Sequence, residues 1–239
     1  MGPLGDYPKD DKEKLEDYLK NGGNLVAAVG YTEEATPNLD AVFEEYGVSR
    51  ENGIVIEGST DYMYQAPLYL LPDVEDSTIT KSVIASKMLC LVPEAAAFTT
   101  DGETAAEKGI ESVLVTSDSA YLKKDIDESA TYEKEASDLE GPFDIADYIS
   151  VASQGEENTH IALFASDIMF TDTADITVGG ANVQLIGEAL RDMVDINITT
   201  GIPAKQYDNN YITVSYGTAL LCGFLFILLL PALILISGI

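Results

Sequence analysis

Two short pieces of this chain place side chains where chemistry is possible. "VLVTSD" and "LFASD" each close an apolar run with Ser-Asp, giving Ser117-Asp118 and Ser166-Asp167. In open α/β sheets, ligands gather beyond the carboxyl ends of strands. Two carboxylates there would suit Mg²⁺, Ca²⁺ or a polyol. The plainer expectation is that each Ser-Asp caps a helix or turns the chain. Tyr62, Tyr64 and Tyr69, beside Met63, form an aromatic group that would either stack on a sugar or partner or pack an edge strand.

Other chemistries find few residues to work with. His160 is the one histidine and stands just before "IALFASD", which places it at the start of a strand rather than in a catalytic loop. No G-x-S-x-G elbow is present. Cys90 lies in an apolar run and Cys222 near the C-terminus, so neither a disulfide framework nor a zinc site is expected. The phosphate-cradling patterns G-x-x-x-x-G-K-[ST] and G-x-G-x-x-G after a strand are absent. No catalytic residue, metal or cofactor is assigned. Asn197-Ile198-Thr199 matches the glycosylation triplet, which also arises by accident.

The elements that must position these residues alternate in type. "PKDDKEKLEDYLK" reads as a surface helix, with Pro8 at its start and Leu15, Tyr18 and Leu19 on one face. "NLVAAVG" is a short apolar run, the mark of a strand buried on both faces. "TPNLDAVFEEYG" is a second helix and "GIVIE" a second strand. Further apolar runs follow in "MLCLVP", "SVLVTSD", "DIADYISVAS" and "HIALFASD". The polar stretch 123–142 reads as an exposed loop. "GGANVQLIGEALRDMV" is a final amphipathic helix, with Val183, Ile186, Leu190 and Val194 aligned as its inward face. This alternation predicts an α/β fold with a mainly parallel sheet and flanking helices. Such a fold normally opens with a strand, so at least one upstream strand is expected to be missing.

Charge divides the chain. All 41 acidic and 13 basic residues precede Tyr216, for a net charge of −28. That balance disfavours nucleic acid and anionic membrane surfaces. Gly217 to Ile239 carries no charge, and as a helix it would run about 34 Å, enough to span a bilayer core of about 30 Å. The expected organisation is therefore a soluble α/β domain over 1–196, a connector over 197–216 and a transmembrane helix over 217–239. Ala219 and Gly223 form a small-xxx-small pair on which a second membrane helix would pack.

Several stretches together resemble the gliding-motility-type (GldG-like) ABC transporter auxiliary proteins. They are "EKLEDYLKNGGNLVAAVGYTEEATPNLDAVFEEYGVSRENGIVIEG", "GPFDIADYISVAS" and "IALFASDIMFTDTADITVGGANVQLIGEALRDM". The resemblance implies a Rossmann-like domain akin to class I glutamine amidotransferases. It implies a non-catalytic subunit at the cell membrane, with an extracytoplasmic domain, the bilayer, an ABC permease and a separate ATPase as its partners. The chain lacks the family's upstream strand, first membrane helix and basic tail, as an N- and C-terminally truncated member would. Amidotransferase chemistry does not carry over, because "LCLVPEA" around Cys90 is not a nucleophile elbow. The alternative function is a membrane-anchored carbohydrate-binding or metal-dependent enzyme domain using Asp118 and Asp167.

Overall fold

A computed structural model describes residues 5–124 and 132–194, together with the isolated positions 224, 225, 231 and 238. The chain divides into two units, Met1–Asn197 and Ile198–Ile239. The first is described here.

Its helices and strands run in the order α1 (Lys9–Lys20), β1 (Leu25–Ala28), α2 (Pro37–Glu45), β2 (Ser49–Glu51), β3 (Ile54–Ile56), β4 (Tyr69–Leu70), β5 (Asp73–Val74), α3 (Lys81–Ala85), β6 (Val92–Pro93), β7 (Ala97–Thr99), α4 (Gly102–Lys108), β8 (Ile110–Val115), β9 (Tyr121–Lys123), β10 (Leu139–Glu140), β11 (Asp144–Val151), β12 (Thr159–Phe164), α5 (Asp172–Thr177) and α6 (Ala181–Met193). Local chemistry accounts for the helix ends. Pro37 opens α2 at its first turn, where a missing N–H costs nothing. The cap of α2 comes from far upstream: the Asp6 carboxylate accepts the N–H groups of Asn38 and Leu39. Asp101 caps α4 by accepting from the N–H groups of Glu103 and Thr104. Gly109 ends α4 at φ 63°, a left-handed turn that glycine adopts without steric cost.

The main sheet overturns the parallel, Rossmann-like expectation. Strand β11 is its centre and pairs antiparallel with β12, Ala146 opposite Phe164 through Val151 opposite Thr159. It also pairs antiparallel with β8, Asp144 opposite Val115 through Ile149 opposite Ile110. Strand β5 joins β8 and β2 joins β7, again antiparallel, and β7 meets β11 at Asp144. Among the described pairings, only β1 with β12 is parallel. The sheet is therefore mixed, and register shifts between Asp144 and Asp147 mark a bulge that bends β11. The physical reason lies in the connection: residues 152–158 are too few for a parallel crossover, which needs about a dozen residues, but ample for a hairpin.

Three further expectations change. Strand β1 is half-buried along its length and lies at the end of the strand order, not in a doubly covered centre. The stretch 123–142 is not wholly loop, since β9 and β10 pair within a small sheet with β3. On α6 the inward face is Ala181, Asn182, Leu185, Ala189 and Met193, while Val183, Leu190 and Val194 point outward. Asn182 decides this orientation. Its buried amide accepts from the Leu91 N–H and donates to the carbonyls of Leu91 and Met169, which locks that side inward.

Among the described residues, no helix is long and apolar enough to cross a membrane. This does not uphold the predicted transmembrane helix. The stretch 217–239, with Ala219 and Gly223, lies outside the described residues apart from the four isolated positions, as does the Asn197 triplet.

The core is one continuous cluster. Leu19, Val42 and Phe43 from the first two helices join Ile145, Ile149, Ile161, Leu163 and Phe164 from the sheet and Leu185 and Ala189 from α6. Beside it, Arg50 is a buried cation held by the chain around it. Its guanidinium donates to the Asp40 carboxylate at 2.8 Å, to the Gly30 carbonyl at 2.9 Å and to the Thr36 hydroxyl. One side chain thus ties the end of β1 to α2 and β2.

Candidate functional site

The chain leaves β12 at Phe164 and turns through Ile168–Phe170 into α5. That turn forms one wall of a groove of about 310 Å³, lined by Ile168, Thr171, Thr173, Ala174 and Thr177. The facing wall is the loop carrying Tyr64, Gln65 and Tyr69, and Leu91 and Pro93 complete the lining. The volume lies at the lower end of the range for small-ligand pockets.

Backbone bonding builds the loop wall. The Tyr64 N–H donates to the Tyr69 carbonyl at 2.8 Å, and the Tyr69 N–H to the Ala66 carbonyl at 3.0 Å. Gln65 takes φ 63°, a left-handed conformation uncommon for a residue with a Cβ. Strand β4 then pairs with β6, Tyr69 opposite Pro93. Two side chains hold the parts together. The Ser166 hydroxyl donates to the Pro93 carbonyl at 2.5 Å, joining the exit of β12 to the lining. Asn182 fixes Leu91 and Met169 from behind, as described above.

The groove has a distinct character in so acidic a chain: none of its lining side chains is charged. It offers two half-exposed tyrosine rings, three threonines, one amide and an apolar remainder. Cys90, next to Leu91, is fully buried, and desolvation pushes its thiol up to about 12. At neutral pH it is a protonated, inert thiol.

The sequence-predicted site residues fall as follows. Strands β8 and β12 both run opposite to β11, so Ser117-Asp118 and Ser166-Asp167 do leave the same end of the sheet. The serines are committed to different partners. Ser117 donates to the Glu57 carboxylate at 2.6 Å and accepts from the Ser119 N–H, while Ser166 braces Pro93. Asp118 and Asp167 are exposed, and neither lines the groove. Among the described residues, no group of three or more His, Cys, Asp or Glu is placed to hold a metal. Tyr64 and Tyr69 do come together at the groove. Tyr62 does not line it; the Asp73 carboxylate engages its hydroxyl and raises its pKa. His160 is the second residue of β12 and meets the Tyr148 hydroxyl at 3.1 Å, with Asp192 accepting from the same hydroxyl at 2.5 Å. Sequence reasoning missed Asn182 and the threonines of α5. The only signal for Asn182 was a polar residue inside the apolar opening of α6.

The fold is similar to a solved structure titled "mmIFT52 N-terminal domain", with a TM-score of 0.56 and 19% identity over 82% of this chain and 76% of that one. At that identity the likeness shows the fold alone. No family model matches the chain, and no curated protein matches its sequence. The expectation of a membrane-spanning ABC transporter component finds no support: the described residues hold no helix long and apolar enough to span a membrane, no family model or curated protein points to such a system, and the fold is similar to the mmIFT52 N-terminal domain.

Proposed function

We propose that this domain is a non-catalytic binding module whose groove between the 64–69 loop and α5 takes a neutral, extended peptide segment of a partner protein. The observation that carries this is the uncharged lining in a chain of net charge −28. Such a lining favours a ligand recognised by ring faces and backbone hydrogen bonds rather than by ion pairing. Tyr64 and Tyr69 supply flat apolar surfaces of the kind that grip extended, proline-containing segments. The Thr171 and Thr177 hydroxyls donate to the Ile168 and Thr173 carbonyls, so what they offer a peptide backbone is acceptor capacity for its N–H groups, with Thr173 beside them in the lining.

The test is an array of neutral decapeptides rich in proline and aliphatic residues, probed with the full chain and with the Tyr64→Ala/Tyr69→Ala double variant. Binding that weakens at least tenfold in the double variant is the expected result. Equal binding by both proteins, or no peptide bound even at millimolar concentration, would refute the assignment.

A further inference from the structure

Helix α6 presents two apolar stripes. One is buried, as described. The other consists of Val183, Ile186, Leu190 and Val194, spaced so that they follow one face of the helix. Val183 is 52% exposed, Leu190 49% and Val194 58%. Ile176 of α5, 76% exposed, lies just before them in the chain. Ile186, between them, is partly buried against the core, while Val183, Leu190 and Val194 stay exposed with no described element over them.

The stripe is self-complementary. Suppose two copies of α6 pack antiparallel about a two-fold axis between positions 186 and 187. Val183 of one copy then faces Leu190 of the second, and Ile186 faces Gly187. Val194 comes opposite Gly179, in the turn before α6. A Cβ added at either glycine would meet nothing within 4 Å, so each apolar knob finds an open place. Two-fold dimers with isologous contacts of this kind are the commonest soluble homo-oligomers.

Charge points to the same occupant. Among the residues of α6 only Glu188, Arg191 and Asp192 are charged, and Glu188 and Arg191 pair at 2.6 Å. The helix thus carries a net of only −1 in a chain of −28, so two copies can approach along it with little local repulsion. We propose that this stripe is the contact of a weak homodimer, α6 against α6. The exposed apolar area is on the order of a few hundred Å² per copy, below what stable complexes bury, so association falls in the micromolar-to-millimolar range. Because the rest of the two surfaces repel at long range, added salt strengthens the dimer. A stripe built for a partner with basic flanks would show the opposite salt response.

Sedimentation equilibrium of the full chain at low and high salt, alongside the Leu190→Glu variant, tests this. A second readout places Gly187→Cys in a Cys222→Ser background, where mild oxidation should cross-link two copies near the axis. The expected result is a concentration-dependent dimer that tightens with salt. In Leu190→Glu it weakens at least tenfold with an unchanged melting curve, and the same substitution abolishes the cross-link. A monomer at all concentrations, a dimer that loosens with salt, or association and cross-linking unaffected by Leu190→Glu would each overturn the proposal.

Discussion

Asp147 is the least comfortable side chain in the sheet, and replacing it should stabilise the protein. It sits in β11 opposite Leu163 and Ser112, is 1% exposed, and neither carboxylate oxygen has a hydrogen-bond partner. Burial raises its pKa well above 3.8, and the nearby Asp144 carboxylate raises it further. Leaving a buried polar group unsatisfied costs about 1–3 kcal/mol. Leucine branches at the same carbon and needs no partner. Asp147→Leu is therefore expected to gain about 1–3 kcal/mol at neutral pH, or about 2–12 °C in Tm for a domain of this size. The gain should also depend on pH. Between the unfolded pKa and the raised folded one, the folded state keeps a proton that the unfolded state has lost. Stability of the wild type is thus fully present below the unfolded pKa and falls as pH rises through the folded value, by at most about 1.4 kcal/mol per pH unit. The leucine variant lacks this slope, so its advantage should be small near pH 4 and grow toward neutrality. Urea unfolding of both proteins from acid to neutral pH measures the difference, in which most contributions of the other acidic residues cancel. A variant less stable than wild type, or an advantage that does not change with pH, would refute the reasoning.

Three other outcomes follow from the geometry. Arg50→Met leaves Asp40 and the Gly30 carbonyl without their buried cation and should cost about 3–5 kcal/mol in urea unfolding. Gly109→Ala forces a Cβ to 2.6 Å from the Ser150 carbonyl oxygen at a left-handed position, and should lower stability by more than about 1 kcal/mol on calorimetry. Burial alone would raise the pKa of Asp6, but the N–H groups of Asn38 and Leu39 outweigh it and the net shift is downward. Its contribution is present above the unfolded pKa and is lost as pH falls through the folded value, so Asp6→Ala should destabilise at pH 7 and make little difference at pH 2.

Much of the element order was legible because burial leaves a local imprint. The runs at β1, β3, β8, β11 and β12 are apolar wherever the chain passes through the core, and Pro37 and Gly47 bracket α2. Pairing direction leaves no such imprint, since β11 reads equally well as a parallel or an antiparallel strand. The one usable clue was the short polar connection "ASQGEEN" between β11 and β12, which is a hairpin length. On α6 both apolar stripes have helical spacing, and nothing local chooses between them until Asn182 finds the backbone of Leu91. The groove was legible only through Tyr64 and Tyr69. Its other wall depends on where the turn after β12 travels, and that is set by the Ser166 bond to Pro93 across a long stretch of sequence.

The parallel pairing of β1 with β12 has a consequence for how the chain is made. Leu25 sits opposite Ile161, so β1 leaves the ribosome early and has no strand to join until β12 has been translated. The hairpin of β11 and β12 and its neighbour β8 can assemble among themselves, because their contacts are close in sequence. Strand β1, with its apolar "LVAA" segment, must wait unpaired through most of synthesis, whereas β2 to β5 find partners by residue 123, and it is at β1 that a nascent chain would most need a chaperone's cover.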